Sequence, residues 1–189
     1  MTYQFAKLNG NASFSLGNFF SFFTIQSNIL AAMALAMTAL VRRDERSRLF
    51  DAVRGAATFY ITITFVVFAL FLSGLQEELD THIAFTNFVV HYLIPVVLLV
   101  DWFIDPPRHR LGLRSALVWL AYPLTWFAYT LVRGRWADWY PYPFVDVARH
   151  GYGGVLARGV VFVLAFGIGA VVFAHLSDRR SASGRVQTV

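Results

Sequence analysis

The sequence contains no cysteine among its 189 residues. This absence excludes a disulfide scaffold, a thiolate metal site and a cysteine nucleophile. Charge is also scarce: only 14% of the residues are Asp, Glu, Lys or Arg, against about a quarter in a typical soluble domain. Hydrophobic residues instead make up 57% of the chain and are collected in long uncharged runs. This pattern is typical of a membrane protein.

Five of these runs are long enough to cross a bilayer core of about 30 Å as helices that rise about 1.5 Å per residue. The sequence therefore predicts an all-α, polytopic membrane helix bundle that forms one integral membrane domain over residues 1–189. The predicted transmembrane spans cover residues 16–41, 55–75, 83–103, 115–132 and 156–176. Their uncharged parts are 16–41, 55–75, 83–100, 115–132 and 159–176.

The positive residues are distributed unevenly between the two sides of these spans. Eleven Lys and Arg residues fall in segments 42–54, 108–114 and 179–185, whereas Lys7 and four arginines between 133 and 158 fall on the other side. Because cytoplasmic loops carry the excess of positive charge, we expect the N-terminus outside and the C-terminus in the cytoplasm. The positive residues lie beside the apolar spans, where they set the orientation and meet lipid headgroups. We therefore do not read the net charge of +5 as a sign of a nucleic-acid partner.

Four polar side chains interrupt the apolar stretch FFTIQSNIL at residues 22–30. Polar groups are costly inside a membrane unless they find partners. On a continuous helix, Ser21, Thr24 and Asn28 lie on one stripe, because each residue turns about 100°. Gln26 points roughly the other way. The stripe predicts a polar face directed toward the interior of the bundle.

The third span carries a second polar pair, Asn87 and His91, at spacing i, i+4. Thr24 and His91 each lie about 8 residues, roughly 12 Å, below the outer ends of their predicted spans, so a joint role is allowed. A hydroxyl and an imidazole are the minimum parts of acyl-transfer chemistry. We predict Thr24 and His91 as catalytic residues, with three supporting candidates that could steady the imidazole or the oxyanion: Asn28, Asn87 and Ser21.

Other interpretations stay open. Thr and Ser in membrane helices usually bond the carbonyl four residues back or join two helices. An intramembrane His indicates function, and a non-enzymatic small transporter or sensor with a proton-linked His91 is the alternative. A structural subunit of a larger complex and a homo-oligomer are both compatible with the sequence. No two His lie at i, i+4 and no carboxylate lies in the uncharged runs, so we predict neither a metal nor another cofactor.

Two further features concern the neighbourhood of this pair. Pro95 removes the helix bond back to the carbonyl of His91, which predicts a loosened helix beside that residue. The segment 133–154 is long for a helix connection and rich in Trp, Tyr and Pro. It has two interpretations, an aromatic belt at the outer interface and a lid over a groove through which lipid enters.

The order of four motifs carries a family resemblance: FFTIQSNIL, HYLIPVVLLVDWFIDPP, AYPLTWFAYTLVRG and YPYPFVDV. From about Phe19 to about Leu176, the chain resembles the androgen-induced protein family, which includes the androgen-dependent TFPI-regulating proteins and their bacterial relatives. Family members usually have six spans, with a further helix before FTIQSN, whereas five are predicted here.

The resemblance implies an intramembrane threonine hydrolase that cleaves fatty acid esters of hydroxy fatty acids. Its catalytic residues would be Thr24 in FFTIQSN and His91 in VVHYLIP, the same two residues that the depth estimate pairs. It also implies membrane lipids and an acyl-ester substrate as partners. As a bacterial relative, the protein is expected in the inner (plasma) membrane.

Overall fold

The structure, a computed structural model, describes residues 15–74 and 84–186, with side chains as far as residue 179. All regular secondary structure in these ranges is helical, which confirms the predicted fold class. Besides two short 3-10 helices, Arg43–Glu45 and Pro143–Val145, the helices of this part of the chain are α1 (Leu16–Ser21), α2 (Phe23–Leu40), α3 (Arg48–Leu72), α4 (Ala84–Ile104), α5 (Gly112–Ala137) and α6 (Val147–Val186). Near its start α6 is kinked at Gly151, whose backbone is not helical, with φ 63° and ψ 163°.

Five of the described helices, α2 to α6, are long and apolar enough to cross a membrane, as predicted. Three of them begin before the predicted spans, at Arg48, Gly112 and Val147. Polar first turns lengthen these helices beyond the apolar run, so hydropathy alone places their starts too late. Positions 75 and 83 of the predicted spans lie outside the described residues.

The first predicted span is wrong in one respect, because residues 16–41 do not form a continuous helix. The helix is interrupted at Phe22, whose backbone is extended with φ −67° and ψ 127°. Ser21 therefore ends α1, while Thr24 and Asn28 belong to α2. The predicted stripe of three polar residues holds for Thr24 and Asn28 alone.

Side chains satisfy the backbone groups that the break at Phe22 exposes. Gln26 Nε2 donates to the carbonyl of Phe20 at 2.8 Å, and Trp126 Nε1 donates to the carbonyl of Ser21 at 3.0 Å. Helix ends leave such carbonyls without an intrahelical donor, and in an apolar setting they need another partner. Gln26 thus interrupts the apolar run because it caps α1.

An aromatic core joins α2 to α6. Its buried rings include Phe23, Phe59, Tyr60, Trp102, Trp119 and Trp126. Gly55 on α3 allows two of these rings to approach, since a Cβ there would stand only 2.8 Å from Trp119 and 3.0 Å from Trp102. The indole of Trp119 then donates to the carbonyl of Ala52 at 3.0 Å. This packing fixes α5 against α3.

Ion pairs tie α3 to α4 at the end of the bundle where α2 finishes. Arg54 Nη2 lies 2.6 Å from Asp101 Oδ2, and Arg46 pairs with Asp105. The side chain of Arg54 is only 2% exposed, so loss of its partner would leave a buried charge. Thr24 is in the first turn of α2 and therefore lies at the opposite end of the bundle.

Candidate active site

The structure brings Thr24 and His91 into contact. Thr24 Oγ1 lies 3.3 Å from His91 Nε2, and both residues are buried. Thr24 is in the first turn of α2, and His91 is seven residues into α4, roughly 10 Å along its axis. The two side chains that the sequence paired by depth therefore share one location.

The hydrogen bonds of His91 define the state of its ring. Its Nδ1 lies 3.2 Å from the carbonyl oxygen of Asn87. A carbonyl can only accept, so Nδ1 carries the proton and Nε2 is left to accept the proton of the Thr24 hydroxyl. Phe68 stacks on the imidazole at 3.8 Å between centroids and 13° between planes. The ring is thus oriented as a base facing Thr24.

A π-helical segment, Val89–Leu93, carries His91. At its end the N–H of Ile94 donates to the carbonyl of Val89, five residues back. In the same register the carbonyl of Val90 would accept from Pro95, which has no N–H. Asn28 on α2 supplies the missing donor, with Nδ2 at 3.1 Å from the Val90 oxygen. In this register Pro95 leaves the carbonyl of Val90 without a helix donor, whereas the sequence predicted that loss at the carbonyl of His91.

Asn28 also holds the first turn of α2, since its Nδ2 donates to the carbonyl of Thr24 at 2.8 Å. One amide thus links the backbone of Thr24 to that of Val90, next to His91. The Ser27 hydroxyl lies 3.1 Å from the same carbonyl oxygen, and it lies 2.7 Å from the hydroxyl of Thr64 on α3. These bonds fix three helices around the pair.

The three supporting candidates have different outcomes. Asn28 lies beside the pair, but its amide donates to backbone carbonyls, those of Thr24 and Val90. Asn87 reaches His91 through its backbone carbonyl. The structure does not bring Ser21 to the pair: its hydroxyl donates to the carbonyl of Gly17 at 2.6 Å and contacts the hydroxyl of Tyr129 at 2.9 Å. The physical reason is the break at Phe22, which separates Ser21 from α2.

Sequence reasoning missed Tyr142. Its hydroxyl lies 3.2 Å from Thr24 Oγ1 and 3.2 Å from the backbone nitrogen of Thr24, and its side chain is buried. Tyr142 comes from the connection between α5 and α6, which the sequence described only as an aromatic belt or a lid. The motif YPYP marks an aromatic loop, but no spacing rule relates it to Thr24.

A groove of about 750 Å³, a figure that includes its open mouth, adjoins Thr24. Three lining side chains carry a hydroxyl, those of Thr24, Thr64 and Tyr142, and Trp126 adds an indole N–H. None of the lining residues is charged. On α3 the lining extends from Leu72 to Ile63, roughly 14 Å of helix. The groove is therefore long and apolar, with hydroxyl groups in its wall.

Exposed residues show where the groove opens. Leu124 on α5 and Val163 on α6 line it and are both exposed. A Cβ on Gly159 of α6 would stand 2.7 Å from the ring of Phe127 on α5, so the two helices approach closely there. Phe23, at the start of α2, also lines the groove.

Among the described residues, no group of three His, Cys, Asp or Glu side chains is placed to hold a metal ion. The fold and the site together define an all-α helix bundle, compatible with an integral membrane protein, with a buried Thr–His pair beside an apolar groove. Comparisons of the chain with family models, curated proteins and solved structures give no match. The resemblance to the androgen-induced protein family therefore stays an inference from sequence motifs.

Proposed function

We propose that the protein is an intramembrane lipid-ester hydrolase in which Thr24 is the nucleophile and His91 the general base. The observation that carries this proposal is the 3.3 Å contact between Thr24 Oγ1 and an imidazole nitrogen that is free to accept a proton. A nucleophile with a base in reach, and the base oriented by a third group, is the usual signature of covalent catalysis by a hydroxyl.

The reaction proceeds in two halves. Thr24 Oγ1 attacks the carbonyl carbon of the ester while its proton passes to His91 Nε2. The bond to the alcohol oxygen then breaks, and the alcohol leaves with the proton from His91. In the second half, water gives a proton to His91 and attacks the acyl carbon. The fatty acid leaves as Thr24 regains its proton, so one ester and one water yield one alcohol and one acid.

The groove supports an acyl ester as substrate. Its uncharged lining suits a hydrocarbon chain, and its exposed rim between α5 and α6 suits sideways access from the bilayer. Fatty acid esters of hydroxy fatty acids, the substrates implied by the family resemblance, carry such chains. One methylene changes binding in an apolar pocket by only about 1–3 kcal/mol, so we expect broad tolerance of chain length.

Hydrolysis by the purified protein in detergent micelles tests this proposal. We expect Thr24→Ala and His91→Ala each to lower kcat/KM by about 10²–10⁴-fold on a long-chain p-nitrophenyl ester and on a fatty acid ester of a hydroxy fatty acid. Thr38→Ala is the matched control, because the Thr38 hydroxyl bonds the Ala34 carbonyl of its own helix. Full activity in both site variants would contradict the mechanism.

The second candidate is a small transporter or sensor in which His91 is a proton-linked site. It is favoured by the position of an ionisable side chain in a π-helical segment of a membrane-type helix, a setting that is frequent at functional sites. This candidate predicts pH-dependent binding or flux that His91→Gln abolishes, with no ester hydrolysis by the unmodified protein. Hydrolysis that requires Thr24 excludes it.

A further inference from the structure

The loop between α5 and α6 carries a hydroxyl into the site. Residues 138–146 return the chain to the N-terminal end of α2, where Tyr142 meets Thr24. The Tyr142 ring stacks on Phe144 at 5.2 Å with 6° between planes, and Phe22 and Trp126 pack against it. A ring held on these sides has a defined position, so the placement of its oxygen is a feature of the fold.

The protons around Tyr142 follow from the donors available. The N–H of Thr24 donates to the Tyr142 oxygen, which leaves the phenolic proton to be donated to Thr24 Oγ1. Thr24 Oγ1 in turn donates to His91 Nε2, because Nδ1 is the protonated nitrogen. Each hydroxyl thus donates one hydrogen bond and accepts another. The donors point in one direction, from Tyr142 through Thr24 to His91.

The Tyr142 oxygen lies where the carbonyl oxygen of an attacked ester would have to be. It lies beside the attacking atom, Thr24 Oγ1, and within hydrogen-bond distance of the nucleophile's own N–H. When a hydroxyl attacks an ester, the carbonyl oxygen that becomes negative lies next to the new bond and needs donors. Thr24 is in the first turn of α2, an 18-residue helix whose N-terminal end favours negative charge.

We propose that Tyr142 is a further catalytic residue, whose O–H and the N–H of Thr24 together form the oxyanion site for the ester carbonyl. In the free protein the Tyr142 oxygen fills that site. An entering ester displaces it by a short shift, and the phenolic O–H then donates to the carbonyl oxygen. This assignment rests on the proposed function of Thr24 and His91.

The environment of Tyr142 keeps it a donor. Burial raises the pKa of its phenol, and hydrogen bonds with the side chain of Thr24 and with the backbone at Thr24 and Phe23 offset only part of that rise. A raised pKa means that the phenol holds its proton to higher pH than an exposed tyrosine does. It therefore stays neutral and able to donate at neutral pH.

The test compares Tyr142→Phe with Tyr140→Phe, a matched change in the same loop. Two quantities are measured on the full-length protein in micelles: kcat and KM for a long-chain p-nitrophenyl ester, and the affinity for an alkylboronic acid, which mimics the tetrahedral intermediate. Loss of one oxyanion donor predicts a fall in kcat of about 10²–10³-fold for Tyr142→Phe, with little change in KM. Boronate affinity should fall in parallel, and Tyr140→Phe should change neither quantity.

Other results overturn the assignment. If Tyr142→Phe keeps both kcat and boronate affinity within about threefold of the unmodified protein, the hydroxyl is not an oxyanion donor. If KM and thermal stability change but boronate affinity relative to KM does not, Tyr142 is structural. In both cases a Thr24-dependent hydrolysis would leave the proposed function intact. If the unmodified protein hydrolyses no ester, the proposed function fails and this assignment fails with it.

Discussion

Both ring nitrogens of His91 bond to neutral groups, the hydroxyl of Thr24 and the carbonyl of Asn87. In a Ser-His-Asp triad the third member is a carboxylate, which both fixes the tautomer and stabilises the imidazolium that forms. A backbone carbonyl fixes the tautomer equally well but stabilises the cation less. The site is therefore oriented for proton transfer, and we expect a slower acylation than a charged triad provides.

Thr24 and His91 could be chosen from the sequence as site residues because helical periodicity and span depth are local quantities. Their contact at 3.3 Å agrees with that selection, while their catalytic roles stay predictions. Ser21 was selected by the same periodicity and fails, because the break at Phe22 depends on partners from α5 and the following loop. Tyr142 could not be selected, since only the folded loop brings it to Thr24.

At the scale of the helices, two π-helical segments build the site. Phe68–Leu72 ends α3 and Val89–Leu93 lies in α4, and they meet where Phe68 stacks on His91. Pro95 gave a sequence signal for the second segment. The segment in α3 has no proline and no glycine, so nothing local predicts it. Packing between helices, rather than propensity, accounts for it.

The bond between Asn28 and the Val90 carbonyl gives a test at this scale. Asn28→Leu keeps the volume but removes the donor, which leaves a buried carbonyl that Pro95 cannot satisfy. We expect the free energy of unfolding to fall by about 1–2 kcal/mol, measured by denaturant titration in mixed micelles. Thr38→Val lies on the same helix and removes a hydroxyl that bonds the Ala34 carbonyl of that helix, so it is expected to change the free energy of unfolding by less than about 0.5 kcal/mol.

A second substitution shows whether the missing helix donor is the cause. Pro95→Ala restores an N–H five residues after Val90, so the carbonyl gains a donor from its own helix. In that background Asn28→Leu should destabilise the protein by about half as much or less, a coupling that a double-mutant cycle measures. Equal losses in both backgrounds would contradict the proposed link between Pro95, Val90 and Asn28.

At the scale of the whole molecule, the described chain has two unlike ends. One end gathers the ion pairs of Arg46 and Arg54, whereas the other holds Thr24, His91 and the loop with Tyr142. The distribution of Lys and Arg over the loops predicts that the ion-paired end faces the cytoplasm. The catalytic candidates would then lie in the outer half of the bilayer.

This orientation is testable because the chain has no cysteine, so each introduced thiol is unique. Ala148 and Arg110 are exposed and lie at the two different ends. In intact spheroplasts of an expression host, a membrane-impermeant maleimide should label Ala148→Cys, and it should label Arg110→Cys only after lysis. The reverse pattern of labelling would place the site in the cytoplasmic half.

If Thr24 is the nucleophile, it must form a covalent bond with an acyl group, and a reactive analogue of the ester tests this directly. The purified protein is treated with an alkyl fluorophosphonate, digested and analysed by mass spectrometry. We expect a phosphonyl adduct on Thr24, at least 100-fold less in His91→Ala, where the base is missing, and unchanged in Thr38→Ala. If Thr24 is unlabelled in protein that hydrolyses esters, or if the labelling is independent of His91, the proposed roles of the two residues are wrong.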